Sequence, residues 1–302
     1  MGKFAIFIFT NDNSTILKGL IRNIISLKNE INIHIIDDSS HLKEKHLNKI
    51  VAREINENAY LGSEEFELFY PQNERSKEKL MSIGNSKWNL GTARNFAVDY
   101  SKSNDYDKVL FVDQDIININ ISELKKGFEI LDNDKFISFI LEGLTDDSII
   151  GHLATKYGLQ NDTETLLSGG FFYFNPYALT NRFLNIYNED WILQLLESDK
   201  QRVLLPYKVK HLGDLKNIIS LEELIFQEIG ELVIDGLLED IDCLNRGMDF
   251  WIKIISDRKL YIRGLREIIN EYGNNYVGNI LSLLLDNYQI VYENLNMQIK
   301  NK

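Results

Sequence analysis

Two aspartates separated by a single residue, Asp113 and Asp115, directly follow the mostly apolar segment from Lys108 to Val112. That segment has the composition of a buried strand, so both carboxylates are predicted to lie where a strand ends. Their oxygens suit Mg²⁺ or Mn²⁺, which bind proteins through one or two carboxylates together with substrate phosphates. A divalent ion in this position stabilises the charge of a departing phosphate. Because Asp-x-Asp is common in loops, the motif gains meaning only from the elements around it.

The elements that would position these aspartates alternate between strand-like and helix-like patterns in the first third of the chain. Such alternation predicts an α/β fold with a mostly parallel sheet. The predicted strands are Phe4 to Phe9, Ile31 to Ile36, Phe66 to Tyr70, Lys108 to Val112, Phe136 to Leu141 and Gly169 to Phe174. Ligands bind at the carboxyl edge of such sheets, which is where Asp113 is predicted to lie.

Helical patterns separate these strands. Ser14 or Thr15 is predicted to cap the first helix, and one serine of the pair Ser39-Ser40 the second. A further helix is predicted from Gly91 to Ser101, just before the strand that carries the aspartates. The polar segment from Gln72 to Lys87 is predicted to be irregular.

The sequence changes character at about Ser220, where leucine and isoleucine begin to recur at helical spacing. The three helical stretches are Leu221 to Leu238, Phe250 to Ile269 and Val277 to Leu295. We therefore predict a first domain of residues 1–219 and a helical extension of residues 220–302. The acid-rich run from Glu222 to Asp242 is predicted to be a solvated helix face.

Several short motifs accompany the Asp-x-Asp in a definite order. Along the chain they are Thr10 to Asn13, Asp37 to Ser40, Asn89 to Asn95, Val109 to Asp115, Ser168 to Phe172, Glu189 to Trp191 and Lys210 to Gly213. Together they resemble the motifs of GT-A glycosyltransferases, in particular those of the family-2-like group. The resemblance extends from about Phe4 to Gly213 and implies a Rossmann-like nucleotide-diphospho-sugar transferase fold. It does not cover the last third of the chain.

The resemblance implies a nucleotide-sugar donor site at the edge of the sheet. The donor-binding residues that it implies are Thr10, Asp12, Asp38, Asn89, Arg94, Asp113 and Gln114. It also implies that Asp113, Asp115 and His211 hold the Mn²⁺ or Mg²⁺ ion. Two departures from the family pattern leave the base and the sugar open. The first strand lacks the usual aromatic-Asn ending, and the segment from Gln72 to Lys87 lengthens the stretch before Ala-Arg-Asn.

The same resemblance implies an acceptor side and a catalytic base. The residues that it places on the acceptor or sugar side are Gly169, Gly170, Glu189 and Trp191. Asp190 is implied as the base that takes the proton of the acceptor hydroxyl, which gives inversion at the anomeric carbon. If Asp190 is not a base, a retaining reaction stays open.

Each of these residues also has a structural interpretation. Asp37 and Asp38 precede two serines, which is good helix-capping chemistry without any ligand. Arg94 could be a solvated helix residue, whereas a guanidinium at a helix start that faces the sheet edge suits a diphosphate or the nearby carboxylates. Glu189 and Asp190 would interact favourably with a helix dipole from its first turn.

Composition limits the function classes. With 33 basic and 45 acidic residues among 302, the net charge of -12 gives no general attraction to nucleic acid, which is not an expected partner. Cys243 is the sole cysteine, so no intrachain disulfide forms. The apolar run from Phe4 to Phe9 is too short for a membrane span. We expect a cytoplasmic protein, with peripheral attachment to a membrane left open.

The sequence thus predicts a metal-dependent, inverting glycosyltransferase of the hexosyltransferase type that uses a UDP- or GDP-linked sugar. The acceptor is left open among glycan, lipid-linked, peptide and small-molecule hydroxyls, as is self-association through the C-terminal helices. The alternative is a non-catalytic scaffold that binds a nucleotide sugar. A sugar-nucleotide pyrophosphorylase is disfavoured, because Thr10 to Ser14 contains no glycine for a phosphate loop.

Overall fold

The structure, a computed structural model, describes residues 2–62, 90–143, 148–158, 166–212 and 220–300. The predicted strand from Phe66 to Tyr70 and the segment from Gln72 to Lys87 lie outside the described residues. So do two members of the motif series, Asn89 and Gly213.

The described strands form one eight-stranded sheet. They are β1 Phe4–Thr10, β2 Asn32–Asp37, β3 Tyr60–Leu61, β4 Lys108–Asp113, β5 Ile116–Ile117, β6 Lys135–Gly143, β7 Phe171–Phe174 and β8 Gln201–His211. Their order across the sheet is β3-β2-β1-β4-β7-β6-β8-β5. β1 lies parallel to β2 and β4, β2 to β3 and β6 to β8, whereas β7 runs antiparallel between β4 and β6. The predicted α/β fold with a mostly parallel sheet is confirmed.

The described helices surround this sheet and continue beyond it. They are α1 Ser14–Ile24, α2 Leu42–Arg53, α3 Leu90–Ser103, α4 Ile121–Ile130, α5 Ile149–Lys156, α6 Glu189–Leu196, α7 Leu221–Glu239, α8 Met248–Glu271, α9 Asn275–Asp286 and α10 Tyr288–Lys300. Short 3₁₀ turns lie at Ile25–Leu27, Pro176–Ala178 and Cys243–Asn245. The stretch predicted as one helix from Val277 to Leu295 is two helices, since α9 ends before Asn287.

The register of the parallel strands brings their carboxyl ends together. Thr10 of β1 pairs with Asp37 of β2, and Phe9 pairs with Asp113 of β4. Because both faces of these strands are covered, the residues between their ends are apolar, with the single exception of the buried His34 in β2. Thr10, Asp37 and Asp113, the last residues of the three strands, therefore lie at one edge of the sheet.

Alternate residues of β1 serve the two faces of the sheet. Ile6 and Ile8 belong to a hydrophobic cluster with α1, α2 and α4, whereas Phe7 and Phe9 belong to a cluster with α3. Side chains of successive strand residues point to opposite faces, so this division follows from strand geometry. The result is a sheet held between helical layers.

Two predicted helix caps are wrong. Asn13, rather than Ser14 or Thr15, caps α1, because its side-chain oxygen accepts the amide of Ile16 at 3.2 Å. At α2 the N-cap residue is His41, which makes no side-chain cap hydrogen bond. The serines predicted as caps there bind other groups near the strand ends.

The C-terminal helices pack on α5 and α6 through a third hydrophobic cluster. It includes Trp191 of α6 and Trp251 of α8. The predicted helical region is confirmed, whereas the predicted division after residue 219 stays a prediction. The prediction that Glu222 to Asp242 form a solvated helix face is wrong for the middle of α7, because Glu228 is only 1% exposed. No helix in the described part of the chain has both the length and the apolar character required to cross a membrane.

Candidate active site

The ends of β1, β2 and β4 are joined by hydrogen bonds. The amide of Gln114 donates to Phe9 O at 3.0 Å, and that of Asp38 donates to Thr10 O at 3.1 Å. The Thr10 hydroxyl donates to the Gln114 side-chain oxygen. Four of the predicted donor-binding residues, Thr10, Asp38, Asp113 and Gln114, thus lie side by side at the edge of the sheet.

Asp12, another predicted donor-binding residue, holds the loop after β1 against the loop after β2. Its carboxylate accepts Ser40 Oγ at 2.7 Å and the His41 amide at 2.9 Å, and His41 Nδ1 lies 2.9 Å from Asp12 Oδ2. Its φ of 48° lies in the left-handed region, which aspartate tolerates. Partial burial opposes ionisation, but the hydrogen bonds from Ser40 and His41 outweigh it and lower the pKa of Asp12 to about 2. In this position, the Asp12 carboxylate connects the loop after β1 to the loop after β2.

The neighbouring aspartates after β2 have different surroundings. Asp37 is fully buried, accepting the Ser39 amide at 2.9 Å and the Tyr60 hydroxyl at 2.9 Å. Ser39 in turn accepts the Asp12 amide at 2.8 Å. Asp37 thus makes the turn contact that its structural interpretation includes but caps no helix, while Asp38 is partly exposed at the edge.

The three predicted metal ligands lie near one another at the sheet edge. The β5–β8 pairing sets His211 opposite Ile116, and His211 Nε2 lies 2.9 Å from Asp115 Oδ2. Asp113 is fixed through its own amide, which donates to Gly170 O at 3.0 Å. The side chains of Asp113, Asp115 and His211 are 26%, 27% and 17% exposed.

This set does not form a closed metal cage. Across the described ranges, no three His, Cys, Asp or Glu side chains converge tightly enough to hold a metal ion by themselves. Such a cage is not required for Mg²⁺ or Mn²⁺, which take part of their coordination from substrate phosphates and water. Two partly exposed carboxylates and a nearby imidazole therefore fit an ion that arrives with a phosphorylated substrate.

Arg94 links the aspartate edge to α6. From α3, its Nη1 lies 2.8 Å from Glu189 Oε1, and its Nη2 lies 3.5 Å from Asp113 Oδ1 and 3.3 Å from Gly169 O. The guanidinium packs on the ring of Phe9 and is almost completely buried. Of the two partners considered for Arg94, the structure shows the nearby carboxylates.

Asp190, the predicted base, lies in the first turn of α6. Its Oδ2 accepts the amide of Gly169 at 2.7 Å. A Cβ at Gly169 would lie 2.4 Å from that oxygen and 2.6 Å from Arg94 Nη1, so only glycine fits between the two side chains. At Gly170 a Cβ would lie 3.3 Å from Asp113 Oδ2. The two glycines therefore allow the backbone to approach both acidic side chains closely.

Glu189 and Trp191, predicted on the acceptor side, are both buried. Glu189 is 2% exposed and is bound by Arg94. Trp191 lies in the hydrophobic cluster that joins α6 to the C-terminal helices. In this arrangement Glu189 positions the arginine, and the indole of Trp191 packs inside the protein.

Sequence reasoning missed Gln194, which lies one turn after Asp190. Its side chain accepts the Leu167 amide at 2.8 Å and donates to Leu167 O at 2.7 Å. It thereby holds the segment that leads to Gly169 against α6. Its spacing of four residues from Asp190 was the only available signal, since positions four apart lie on the same face of a helix.

Comparisons with solved structures find similar folds in a glycosyltransferase. Glucosyl-3-phosphoglycerate synthase from Mycobacterium tuberculosis, in complex with Mn²⁺ and UDP-glucose, matches with a TM-score of 0.52 and 14% identity over 78% of this chain and 79% of that chain. The same protein with Mn²⁺, UDP and glucosyl-3-phosphoglycerate matches with a TM-score of 0.51 and 15% identity over 78% and 80% of the two chains. Its complex with Mg²⁺ and UDP gives 0.50 and 15%, over 79% of each chain.

These matches establish the fold. The chain has the GT-A fold that its motifs predicted. A scan against protein-family models finds no match, and a search of curated proteins finds none either. At 14% to 15% identity the similarity does not extend to donor or acceptor, so the function has to be inferred from the residues of this chain.

Proposed function

We propose that the protein is a glycosyltransferase that moves a sugar from a UDP- or GDP-linked donor to an acceptor hydroxyl. The observation that carries the proposal is the buried contact of Arg94 with both Asp113 and Glu189. Through it, the edge where a donor phosphate would bind is joined to the helix that carries Asp190. A fold shared with an enzyme that was crystallised with UDP-glucose supports a UDP-linked donor.

The donor side of the proposed site is the edge formed by β1, β2 and β4. Asp38 and Gln114 are partly exposed there and are suited to hydrogen bonds with a nucleoside. Asp113, Asp115 and His211 would hold Mn²⁺ or Mg²⁺, which the comparison enzyme also binds. The bound ion supplies Lewis-acid stabilisation of the charge on the departing diphosphate.

The acceptor side is the start of α6. The Gly169 amide fixes one oxygen of Asp190, and Arg94 holds the adjacent Glu189. A carboxylate oriented in this way can take the proton from an acceptor hydroxyl as its oxygen attacks the anomeric carbon. Attack from the side opposite the diphosphate gives inversion.

Release of nucleoside diphosphate tests the proposal. The protein is incubated with Mn²⁺ and a panel of UDP- and GDP-sugars, and release is compared for wild type, Asp113→Ala and the control Asp132→Ala. Asp132 is 52% exposed and forms its ion pair with Lys135, the first residue of β6, rather than with any residue of the proposed site. We expect release to fall on the order of 100-fold in Asp113→Ala and to be unchanged in the control.

Two results would contradict the proposal in different ways. Undiminished release by Asp113→Ala would rule out the metal assignment. Binding of a donor without release, by wild type and with every acceptor class supplied, would instead support a non-catalytic scaffold.

A further inference from the structure

The turn that precedes α6 has an unusual conformation. Asn188 is the N-cap residue, with φ 59° and ψ 34° in the left-handed region, and its side chain makes no cap hydrogen bond. Asparagine is among the few residues other than glycine that adopt this conformation readily. Because α6 contains only eight residues, its own hydrogen bonds do little to fix where it begins.

The side chain of Asn188 is used instead to anchor the turn to α7. Its Nδ2 donates to Glu231 Oε1 at 3.0 Å, and Asn188 is 7% exposed. Tyr187, the residue before Asn188, also packs closely against α7, since a Cβ at Gly230 would lie 2.3 Å from Tyr187 O. α7 therefore contacts both residues before Glu189, Tyr187 through its backbone at Gly230 and Asn188 through the side chain of Glu231.

Glu231 is itself fixed by Arg258 of α8. Arg258 Nη2 lies 3.2 Å from Glu231 Oε2, and the same guanidinium binds Glu228 through Nε at 2.8 Å and Nη2 at 3.2 Å. Tyr288 of α10 donates to Glu228 Oε1 at 2.7 Å. Three C-terminal helices thus meet at one buried arginine, whose side chain is 10% exposed.

We propose that Asn188, Glu231 and Arg258 are positioning residues for sugar transfer, because they fix the start of α6 and with it the orientation of Asp190. This inference rests on the proposed function. It assigns a role to the helical region that the family motifs do not cover. The acceptor hydroxyl and its base must be aligned within a fraction of an ångström, so a loose α6 slows the proton transfer without weakening donor binding.

A matched control is available on the same two helices. Glu239 of α7 pairs with Lys253 of α8 at 2.6 Å, and both side chains are more than half exposed. This pair joins α7 to α8, as Glu231 and Arg258 do, but Glu239 has no contact with the turn before α6 among the described interactions. The control variant is therefore Glu239→Ala.

The test uses Asn188→Gly, Glu231→Ala and their combination. Glycine keeps the positive φ and removes only the side-chain anchor, so Asn188→Gly retains the fold. We expect kcat per binding-competent molecule, counted by nucleoside diphosphate titration, to fall on the order of 10- to 100-fold in both single variants. The donor KM should stay within about 2-fold of wild type. The double variant should lose no more than the worse single variant, because both changes remove the same contact.

The outcomes separate this inference from the function on which it rests. An active wild type with unchanged kcat in Asn188→Gly and Glu231→Ala would overturn the positioning role alone. An equal loss in Glu239→Ala would overturn it too, by showing a general effect of loosened helices. A wild type without turnover of any donor would overturn the proposed function and the inference together.

Discussion

Acidic residues gather in two regions of the molecule, and they are held in opposite ways. At the sheet edge, Asp113 and Asp115 are about a quarter exposed, their backbone is fixed by hydrogen bonds at the ends of strands, and their carboxylates each have one neighbouring basic side chain, Arg94 or His211. In the C-terminal helices, Glu228 and Glu231 are 1% and 12% exposed and are positioned by Arg258. The first arrangement leaves carboxylates facing water and ligands, whereas the second encloses them with their own counter-charge.

This difference shows that the role of a cluster of acidic residues depends on the groups that hold the carboxylates in place. Acids that are fixed by the backbone can exchange water for a substrate or an ion without disturbing the fold. Acids that are paired with a buried cation cannot, because removing either partner of the pair leaves a buried charge uncompensated. We therefore expect changes at the sheet edge to affect activity first, and changes among the helices to affect stability first.

The largest effect is expected for Asp190→Asn. Asparagine has nearly the same shape and can still accept the Gly169 amide, but it cannot take a proton. Turnover should fall on the order of 10²- to 10⁴-fold. The free energy of unfolding, measured with urea, should change by less than about 1 kcal/mol. A variant that unfolds far more easily than wild type would show that Asp190 belongs to the enclosed class of acids.

Arg258→Ala should give the largest loss of stability. It leaves Glu228 buried without its counter-charge, which costs about 3 to 5 kcal/mol for a buried pair. Urea unfolding of Lys253→Ala is the control, since removing that exposed partner of Glu239 should cost about 0 to 1 kcal/mol. Equal effects of the two variants would remove the distinction between enclosed and exposed pairs within the helical region.

Asp12→Asn should change the acid stability of the sheet edge. The pKa of Asp12 is lowered to about 2, below its ordinary value of 3.8, so the folded state binds this proton less readily than the unfolded chain. Ionised Asp12 adds about 1 kcal/mol to the free energy of unfolding, after allowing for its exposed fraction. This stabilisation is present above pH 4 and is lost as the pH falls towards 2. The free energy of unfolding, measured with urea between pH 5 and pH 2, should therefore fall less steeply with decreasing pH in the variant than in wild type. Parallel curves for variant and wild type would contradict this.

Asp235→Asn should have the opposite and smallest effect. Burial, together with the nearby Glu231 and Glu228, raises the pKa of Asp235 to about 6 despite the attraction of Arg258. The folded state then binds this proton more readily than the unfolded chain, so its ionisation lowers stability as the pH rises from about 4 to 6. The variant should lack that decline. Unfolding measured at pH 4.5 and pH 7 checks the sign, and a wild-type decline that persists in the variant would refute it.

The sheet edge could be predicted from the sequence because its signals are local. A short apolar run ending in Asp113 predicts both a strand and the edge at which it ends, and the same holds for Thr10 and Asp38. Parallel strands share that edge, so residues far apart in sequence are brought together by a rule that needs no detailed contacts. The fold and the positions of these three residues followed from that rule.

The enclosed cluster could not be predicted in this way. The charges of α7 indicated a solvated face, yet the guanidinium that covers Glu228 comes from a residue 30 positions later. The pairing of Arg94 with Glu189 could not be predicted either, since the two residues lie on different helices and a guanidinium binds a diphosphate as well as a carboxylate. Such pairs depend on how helices pack, and apolar spacing shows which face of a helix is buried but not what lies opposite it.

The outermost described strands of the sheet, β3 and β5, contain two residues each. A strand at the border of a sheet offers unpaired amides and carbonyls to other molecules, and a long border strand invites aggregation. Here each border strand is short and covers only two residues of its neighbour: β3 pairs with Ile35 and Ile36 of β2, and β5 with Lys210 and His211 of β8. β5 pairs with the long strand β8 only at Lys210 and His211, so it fixes the backbone where β8 carries the site, whereas the earlier residues of β8 have no strand partner on that side in the described part of the chain.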